Sequence, residues 1–308
     1  MLEMLLGGGR KFVNPGEWVE LDTTGGPTAR TLAVAAGIDD KVYTFGGLIN
    51  SPSTVYYNDL KCYDTTNGSW STKAVGAPAR NSAVGIAARG KFYIQGGGNG
   101  SGRLKDLWEY DPALNTWTRK ADAPLGRQGA GGCAVDGLLY IAAGFSGTVY
   151  YNDLISYDID TNLWGTLPSL PAEGRHFSAM TSIGTKLYLY GGRRGATTLN
   201  DLWCYDTVAG TWTQLASGPT VTGRYSHSMV AMGGKLYVHG GLTVAGWKGE
   251  TFRYDPDTNE WAAMATLIPG HAIHYAAVCQ DKMFIGTGQV ASGSAGVVND
   301  FWRYTPPL

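Results

Sequence analysis

The sequence predicts an all-β fold, and its composition is the first of three observations behind that prediction. The 308 residues include 45 glycines and 18 tyrosines, and only 16% of the residues are charged. An average chain has about 7% glycine and about 25% charged residues. Long surface helices need many charged side chains on their wet faces, whereas frequent glycine suits tight turns between strands. The hydrophobic fraction of 44% is high enough to exclude a disordered chain.

The second observation is an internal repeat with a period of 47 to 50 residues. Each unit holds four short runs of strand-like composition, which end at residues that favour turns. Six such units predict a six-bladed β-propeller with four antiparallel strands per blade. The markers of the repeat are a Tyr and, in the first five units, a Trp seven residues later: Tyr63 and Trp70, Tyr110 and Trp117, Tyr157 and Trp164, Tyr205 and Trp212, Tyr254 and Trp261, and finally Tyr304.

The third observation is that the ring is permuted by one strand. Trp18 lies 52 residues before Trp70 and has no repeat Tyr ahead of it, while Tyr304 has no Trp after it. We therefore expect the N-terminal strand that carries Trp18 to complete the last blade. The propeller then covers residues 15–308, and residues 1–14 form an apolar, glycine-containing extension with the character of a docking segment.

A diglycine follows the second strand in four of the six units, as in Val42–Gly47 (VYTFGG) and Leu236–Gly241 (LYVHGG). Together with the Tyr–Trp marker and the period of about 50 residues, these motifs resemble kelch repeats over practically the whole chain. The resemblance implies a propeller that works by binding. Two units depart from the diglycine, with Ala143-Gly144 in the third and Gly286-Thr287-Gly288 in the sixth, and we expect altered backbone angles there.

Charge and hydropathy narrow the classes of partner. The formal net charge is −1, so no broad basic surface is expected and we predict no nucleic-acid partner. No segment approaches the roughly 18 consecutive apolar residues of a membrane helix, which argues against membrane insertion. The first nine residues, MLEMLLGGG, are a poor secretory signal because they lack a basic leader. We expect a cytoplasmic or virion setting rather than secretion.

Cysteines and histidines suggest structural roles rather than a metal or cofactor. Cysteine pairing requires Cα atoms within about 7 Å, and the four cysteines fall in different blades, so we expect free thiols. Three histidines near the starts of neighbouring inner strands could instead build a metal site, with His271 close by. No carboxylate or cysteine recurs beside them, and we therefore favour packing. The residues are Cys62, Cys133, Cys204 and Cys279, and His176, His227 and His274.

A basic residue marks the start of the inner strand in every unit and always follows a proline by two to five residues. We expect these side chains to ring one mouth of the channel. Either they bond to loop carbonyls and hold the blades, or at least two of them contact a ligand. The resemblance supports both alternatives: this arginine is common in kelch repeats, where it can bond to loop carbonyls, and kelch adaptors of ubiquitin ligases bind acidic peptides at similar positions. The residues are Arg30, Arg80, Arg127, Arg175, Arg224 and His271.

The loops expected on the same face have the composition of a binding surface, with aromatic and arginine side chains among glycine and serine. The segments Leu48–Asn58 and Phe145–Asn152 both contain the sequence TVYYN. Some of their tyrosines could instead fold back over their own blade. The candidate binding residues in these loops are Tyr56, Tyr57, Tyr150, Tyr151, Arg193, Arg194 and Trp247.

We therefore predict a non-catalytic recognition or scaffold module that binds a protein or glycan ligand of acidic character at this mouth. It would work alone or as a component of a larger assembly such as a viral tail. The alternative is a sugar-acid isomerase, since the resemblance extends to kelch sialic-acid mutarotases that use this face. Glu173 and His176 are the only candidates for its acid and base. No catalytic residue, metal or cofactor is expected in the first interpretation.

Overall fold

The computed structural model describes residues 15–220 and 222–307, which form six four-stranded antiparallel sheets arranged in chain order. The strands, given from the channel outward, are Val34–Ile38, Lys41–Phe45, Leu60–Asp64 and Ser69–Thr72 in blade 1; Val84–Ala88, Lys91–Gln95, Leu107–Asp111 and Thr116–Lys120 in blade 2; Gly131–Val135, Leu138–Ala142, Leu154–Asp158 and Leu163–Leu167 in blade 3; Ala179–Ile183, Lys186–Tyr190, Leu202–Asp206 and Thr211–Leu215 in blade 4; Ser228–Met232, Lys235–His239, Thr251–Asp255 and Glu260–Ala263 in blade 5; and Tyr275–Cys279, Lys282–Gln289, Val297–Thr305 and Glu17–Glu20 in blade 6.

Small hairpins extend several blades beyond their four main strands. They lie in the connection between the second and third strand of a blade, whose length differs from blade to blade. Their strands are Leu48–Ile49 with Val55–Tyr56, Gly98–Asn99 with Gly102–Arg103, Arg193–Arg194 with Thr197–Thr198, and Leu242–Thr243 with Gly246–Trp247, and a 3₁₀ turn, Ser294–Gly296, occupies the same connection of blade 6. No helix in the described ranges is long and apolar enough to cross a membrane.

The N-terminal strand completes the last blade, as the position of Trp18 predicts. Glu17–Glu20 pairs antiparallel with Val297–Thr305, and Trp18 lies opposite Tyr304. The two rings are 5.1 Å apart. This pairing joins the two ends of the chain by backbone hydrogen bonds and gives blade 6 its fourth, outermost strand.

The Tyr–Trp marker is a cross-strand pair that also ties each blade to its neighbour. Tyr110 lies opposite Trp117 in the register of blade 2, with ring centroids 5.2 Å apart. The tyrosine is fully buried between blades. The Trp117 indole N–H donates to the carbonyl of Ala74, on the connection leaving blade 1, at 2.8 Å. The repeat therefore encodes the packing between blades as well as within them.

The diglycine is explained by its backbone angles and by a hydrogen bond between blades. Gly46 and Gly47 have φ of 72° and 95°, and the Gly47 amide donates to the Arg80 carbonyl of blade 2 at 2.9 Å. Ala143 (61°) and Thr287 (51°) keep the same left-handed first position, and glycine always occupies the second. The expected change of backbone angles is therefore absent from the left-handed φ values, although the strands of blade 6 shift register between Gly286 and Gly288. The left-handed region near φ +60° is uncommon but accessible to non-glycine residues. The second position has φ between 91° and 112°, which lies outside that region, and therefore requires glycine.

Six residues at the start of the inner strands close a ring of hydrogen bonds around one end of the channel. Each amide donates to the carbonyl of the equivalent residue in the preceding blade, at 2.7 to 3.0 Å. All six have φ between 49° and 62°. The ring residues are Leu32, Ser82, Gly129, Phe177, Ser226 and Ile273. Below them the channel is lined mainly by small residues, including Cys133. All four cysteines are buried, free thiols.

Candidate functional site

The variable loops and the connections between blades open on one face, which we call the mouth face. Short bridges join them in every blade, such as Thr31 with Leu48 in blade 1 and His176 with Arg193 in blade 4. The residues that precede the inner strands and the loops after the second strands therefore form one surface around the channel. This is the shared face that the sequence predicts for the two sets of candidate residues.

The basic residues before the inner strands lie inside the wall of this mouth. All six side chains of the predicted ring, Arg30, Arg80, Arg127, Arg175, Arg224 and His271, are at most 3% exposed. In each arginine an Nη1 donates to the carbonyl sixteen residues later, as Arg80 does to Gly96 at 3.0 Å. The arginines thus bond to loop carbonyls, as the first of the two alternatives from the sequence describes.

Most ring residues also hold a carboxylate of their own blade. Arg80 binds Asp106 through two hydrogen bonds of 2.7 Å. Burial raises the pKa of Asp106, but the hydrogen bonds and charge of Arg80 outweigh burial and hold that pKa below its usual value. The other pairs are Arg30 with Asp59, Arg127 with Asp153, Arg175 with Asp201 and His271 with Asp300. The four guanidinium groups and the His271 imidazole thus already have carboxylate partners within the protein.

Blade 5 is the exception in this ring. Glu250 occupies the position of the aspartates, since its carbonyl accepts from the Gly240 amide as the Asp201 carbonyl does from Gly191. No ion pair joins Glu250 to Arg224 within the described residues, and Glu250 Oε2 and Arg224 Nε are buried there without hydrogen-bond partners. The extra methylene of glutamate alters the reach that aspartate has in the other blades. Burial lowers the pKa of Arg224.

The predicted loop tyrosines divide into two groups. Tyr57 and Tyr151 cover the buried ring: the Arg30 guanidinium lies 3.8 Å from the Tyr57 ring centroid, and Arg127 lies 4.7 Å from that of Tyr151. These two tyrosines fold back over their own blades. Tyr56 and Tyr150 lie instead on the small hairpins of the mouth face.

Cross-strand register shows an alternation around the rim of the mouth. The odd blades carry pairs of apolar or aromatic residues, whereas in each even blade at least one member of the pair is polar or cationic. The pairs are Leu48 with Tyr56, Phe145 with Tyr150 and Leu242 with Trp247 in blades 1, 3 and 5, and Gly98 with Arg103, Arg193 with Thr198 and Gln289 with Val297 in blades 2, 4 and 6. Aromatic and basic groups thus alternate from Tyr56 to Trp247.

An aromatic cluster occupies the rim between blades 3 and 4. Phe145 stacks on Tyr150 at 4.5 Å, and both rings meet the His176 ring edge-on at 5.3 and 5.1 Å. Phe177 lies 4.4 Å from His176 on another side. The imidazole is 5% exposed, and neither nitrogen has a hydrogen-bond partner among the described residues.

Two arginines give this cluster a positive potential. Burial, followed by repulsion from Arg193 and Arg103, lowers the pKa of His176 to about 4. Arg193 also lies over the Tyr225 ring at 4.7 Å. In the part of the chain that the structure describes, neither arginine forms a salt bridge. Their charge is therefore available to an anion at the rim.

The remaining candidates lie around this cluster. Arg194 is half-exposed and pairs with Glu173, one of the two candidate residues of the isomerase alternative, at 3.0 Å. Trp247 is partly buried, and its indole nitrogen has no described partner. His227 and His274 line the upper channel, where the His274 Nε2 and the Ser228 hydroxyl are 3.0 Å apart. Within residues 15–220 and 222–307, no three His, Cys, Asp or Glu side chains are grouped to hold a metal.

Sequence reasoning missed Arg103 and Phe145. The hairpin of blade 2 is shorter than that of blade 1, so Arg103 aligns with Tyr56 only through strand register. Gly98 leaves room for it: a Cβ there would lie 3.5 Å from Arg103 Nη1 and 2.8 Å from Gln128 Oε1. The GNGSGR segment, Gly98–Arg103, carries the signal, because its glycines mark a tight hairpin that ends in a cation.

The fold and the site define a six-bladed propeller with a chemically varied mouth. The model of the KLHDC2/KLHL20/DRC7 Kelch-repeats domain matches residues 17–174 and 168–307. The chain therefore belongs to this kelch-repeat family, whose propellers are typically protein-binding modules. A comparison with curated proteins found no match.

Proposed function

We propose that this protein is a non-catalytic recognition module whose mouth binds an acidic segment of a protein partner. The observation that carries the proposal is the pair Arg103 and Arg193, which flank the aromatic cluster and have no carboxylate partner among the described residues. An arginine fork binds a carboxylate through two hydrogen bonds. The neighbouring Tyr150 and Phe145 supply rigid apolar area for the rest of the segment.

The buried ring has a supporting role in this proposal. Arg127 and Arg175 hold the connections on which the cluster stands, because each bonds a carbonyl and an aspartate of its blade. Charge that contacts a ligand then comes from the loops, and the ring keeps those loops in place. Removing a ring residue should therefore impair folding, whereas removing a rim residue should impair binding.

Binding to an array of acidic, neutral and basic peptides tests the proposal. The acidic peptides should bind in preference, and the double variant Arg103→Gln/Arg193→Gln should weaken them at least tenfold, which corresponds to about 1.4 kcal/mol. Arg89→Gln is the matched control, since Arg89 is also exposed but pairs with Asp160 on a turn of the opposite face. No preference for acidic peptides, or an equal loss in the control, would count against the proposal.

Two parts of the prediction need separate tests. Membership of a larger assembly rests on residues 1–14, which lie outside the described residues, and light scattering of the full chain and of residues 15–308 would compare their association. The isomerase alternative requires Glu173 or His176 to move a proton. Proton NMR of sialic acid epimers would detect their interconversion, which our proposal does not expect.

A further inference from the structure

Three large apolar side chains stand at the mouth on a backbone that such residues rarely adopt. Leu32, Phe177 and Ile273 have φ of 59°, 54° and 60°. A bulky or β-branched residue in this region is an outlier, and its strain persists only where the surroundings enforce it. All three side chains are partly exposed, so complete burial in the core does not account for them. The other members of the ring are serine or glycine.

Two of these residues form part of a pocket between the rim loops of blades 1 and 6. Leu32 and Ile273, with Ile49 and Val297, give it an aliphatic lining, and the pocket has a volume of about 420 Å³. Thr31, Asn50, Ser51 and Gln289 also line the pocket and supply polar groups. No charged residue of the described chain lines this pocket, in contrast to the cationic rim of blades 2 and 4.

The pocket and the proposed binding surface both border the opening of the channel. Leu32 and Ile273 line the channel opening together with Phe177, and Phe177 packs on His176 in the aromatic cluster. Apolar side chains therefore stand on two sides of the channel opening, with Leu32 and Ile273 at the pocket and Phe177 at the aromatic cluster. A single segment lying across the mouth would meet cations at one side and an uncharged aliphatic pocket at the other.

We infer that this pocket takes an apolar, uncharged side chain from the same acidic segment. The inference rests on the proposed function, because it assigns a second contact to that partner. The aliphatic lining favours an apolar side chain, and the amides of Asn50 and Gln289 can bond the flanking peptide backbone. The ligand is thus bipartite, with an acidic residue and an aliphatic or aromatic residue at a fixed spacing.

Selection from a random peptide library displayed on phage, with the full chain as bait, tests this inference. Peptides bound by the unaltered protein should be enriched in an acidic residue and an apolar residue at one spacing. Enrichment of acidic residues without an apolar position would overturn the pocket and leave the proposed function standing. Enrichment of neither would overturn both.

Substitutions in the pocket separate its role from that of the arginines. Ile273→Asn should remove the apolar preference and keep the acidic one, because asparagine tolerates the left-handed backbone. Ser226→Asn is the matched control, since Ser226 is a partly exposed ring residue with φ of 53° that lies outside this pocket. Ile49→Asn alters the pocket away from the ring and should act as Ile273→Asn does.

Affinity and thermal unfolding complete the test. A selected peptide should bind Ile273→Asn and Ile49→Asn at least tenfold more weakly, with unfolding temperatures close to that of the unaltered protein. Arg103→Gln should remove the acidic preference and keep the apolar one. Unchanged affinity in both pocket variants, or the same loss in Ser226→Asn, would contradict the assignment.

Discussion

The amide of Leu32 donates a hydrogen bond to the carbonyl of Ile273 at 3.0 Å, which joins blade 1 to blade 6 at the mouth of the channel. It completes the ring of six such bonds around the channel opening. A second connection lies in the outer part of blade 6, where the N-terminal strand pairs with the C-terminal strand and Trp18 lies opposite Tyr304. The first and last blades are thus joined at the channel, and the two ends of the chain are joined in the outer part of blade 6. The rim loops therefore stand on a closed ring of blades. Such a support reduces the ordering that binding would otherwise require.

Closure by the N-terminal strand predicts a large effect of removing residues 1–22. This truncation deletes the ladder along Glu17–Glu20 and the Trp18 contacts with Tyr304 and His239. Loss of a well-packed Trp side chain alone costs about 3 kcal/mol or more. Urea unfolding should show at least that loss of stability. Removal of residues 1–14 is the control, and an equal effect of the two truncations would contradict the role of the strand.

The exception in blade 5 predicts a stabilising substitution. Glu250→Asp should bring the carboxylate into the two hydrogen bonds with the ring arginine that Asp201 makes with Arg175 in blade 4. Pairing the carboxylate of residue 250, whose Oε2 is now buried without a partner, with the Arg224 Nη groups should raise the free energy of unfolding by about 1 to 2 kcal/mol. The reverse change, Asp201→Glu, should lower it. Chemical denaturation measures both, and a less stable Glu250→Asp variant would contradict this explanation.

The buried histidines predict a loss of stability in mild acid. Burial, followed by nearby positive charge, lowers the pKa of His176 to about 4 and that of His274 to about 3, from an ordinary value of 6.5. Below pH 6.5 the unfolded chain therefore takes up protons that the folded protein does not. Stability falls as the pH decreases from there, by up to about 1.4 kcal/mol per pH unit for each histidine.

Denaturation curves between neutral pH and about pH 4.5 isolate this effect, since ordinary carboxylates titrate mainly below that range. His176→Phe should reduce the slope of stability against pH, because the ring contacts remain and the titrating group is lost. His274→Gln provides a second variant, whose amide can still bond Ser228. A slope unchanged in both variants would show that other groups control the acid response.

Much of the architecture is predictable from sequence because each marker acts locally and repeats. The Tyr–Trp pair fixes a two-strand register, and the diglycine marks a left-handed turn, so both identify a blade without knowledge of its neighbours. The position of Trp18 then indicates the permutation. The tolerance of Ala143 and Thr287 for the first glycine position was not predictable, since it depends on how the surrounding hydrogen bonds enforce the angle.

The site is less predictable because its parts are distant in sequence. Arg80 and Asp106 are 26 residues apart, so a repeated arginine gives no direct sign that its charge is already paired. His176 meets Tyr150 across two blades, and Arg103 acts on it from a third. Loop lengths differ between blades, and only strand register aligns Arg103 with Tyr56. Sequence therefore places both sets of candidate residues on one face, but it does not indicate which of their cations are already paired within the protein.

Mapping of an acidic probe by NMR tests the central claim most directly. Titration of ¹⁵N-labelled protein with hexaglutamate should shift the amide signals of the hairpin Gly98–Arg103 and of Tyr150, Phe177 and Arg193, and added salt should reverse the shifts. Hexalysine should leave these signals unchanged. Shifts confined to the turns of the opposite face, or equal responses to the two peptides, would contradict the assignment of this mouth as a site for acidic partners.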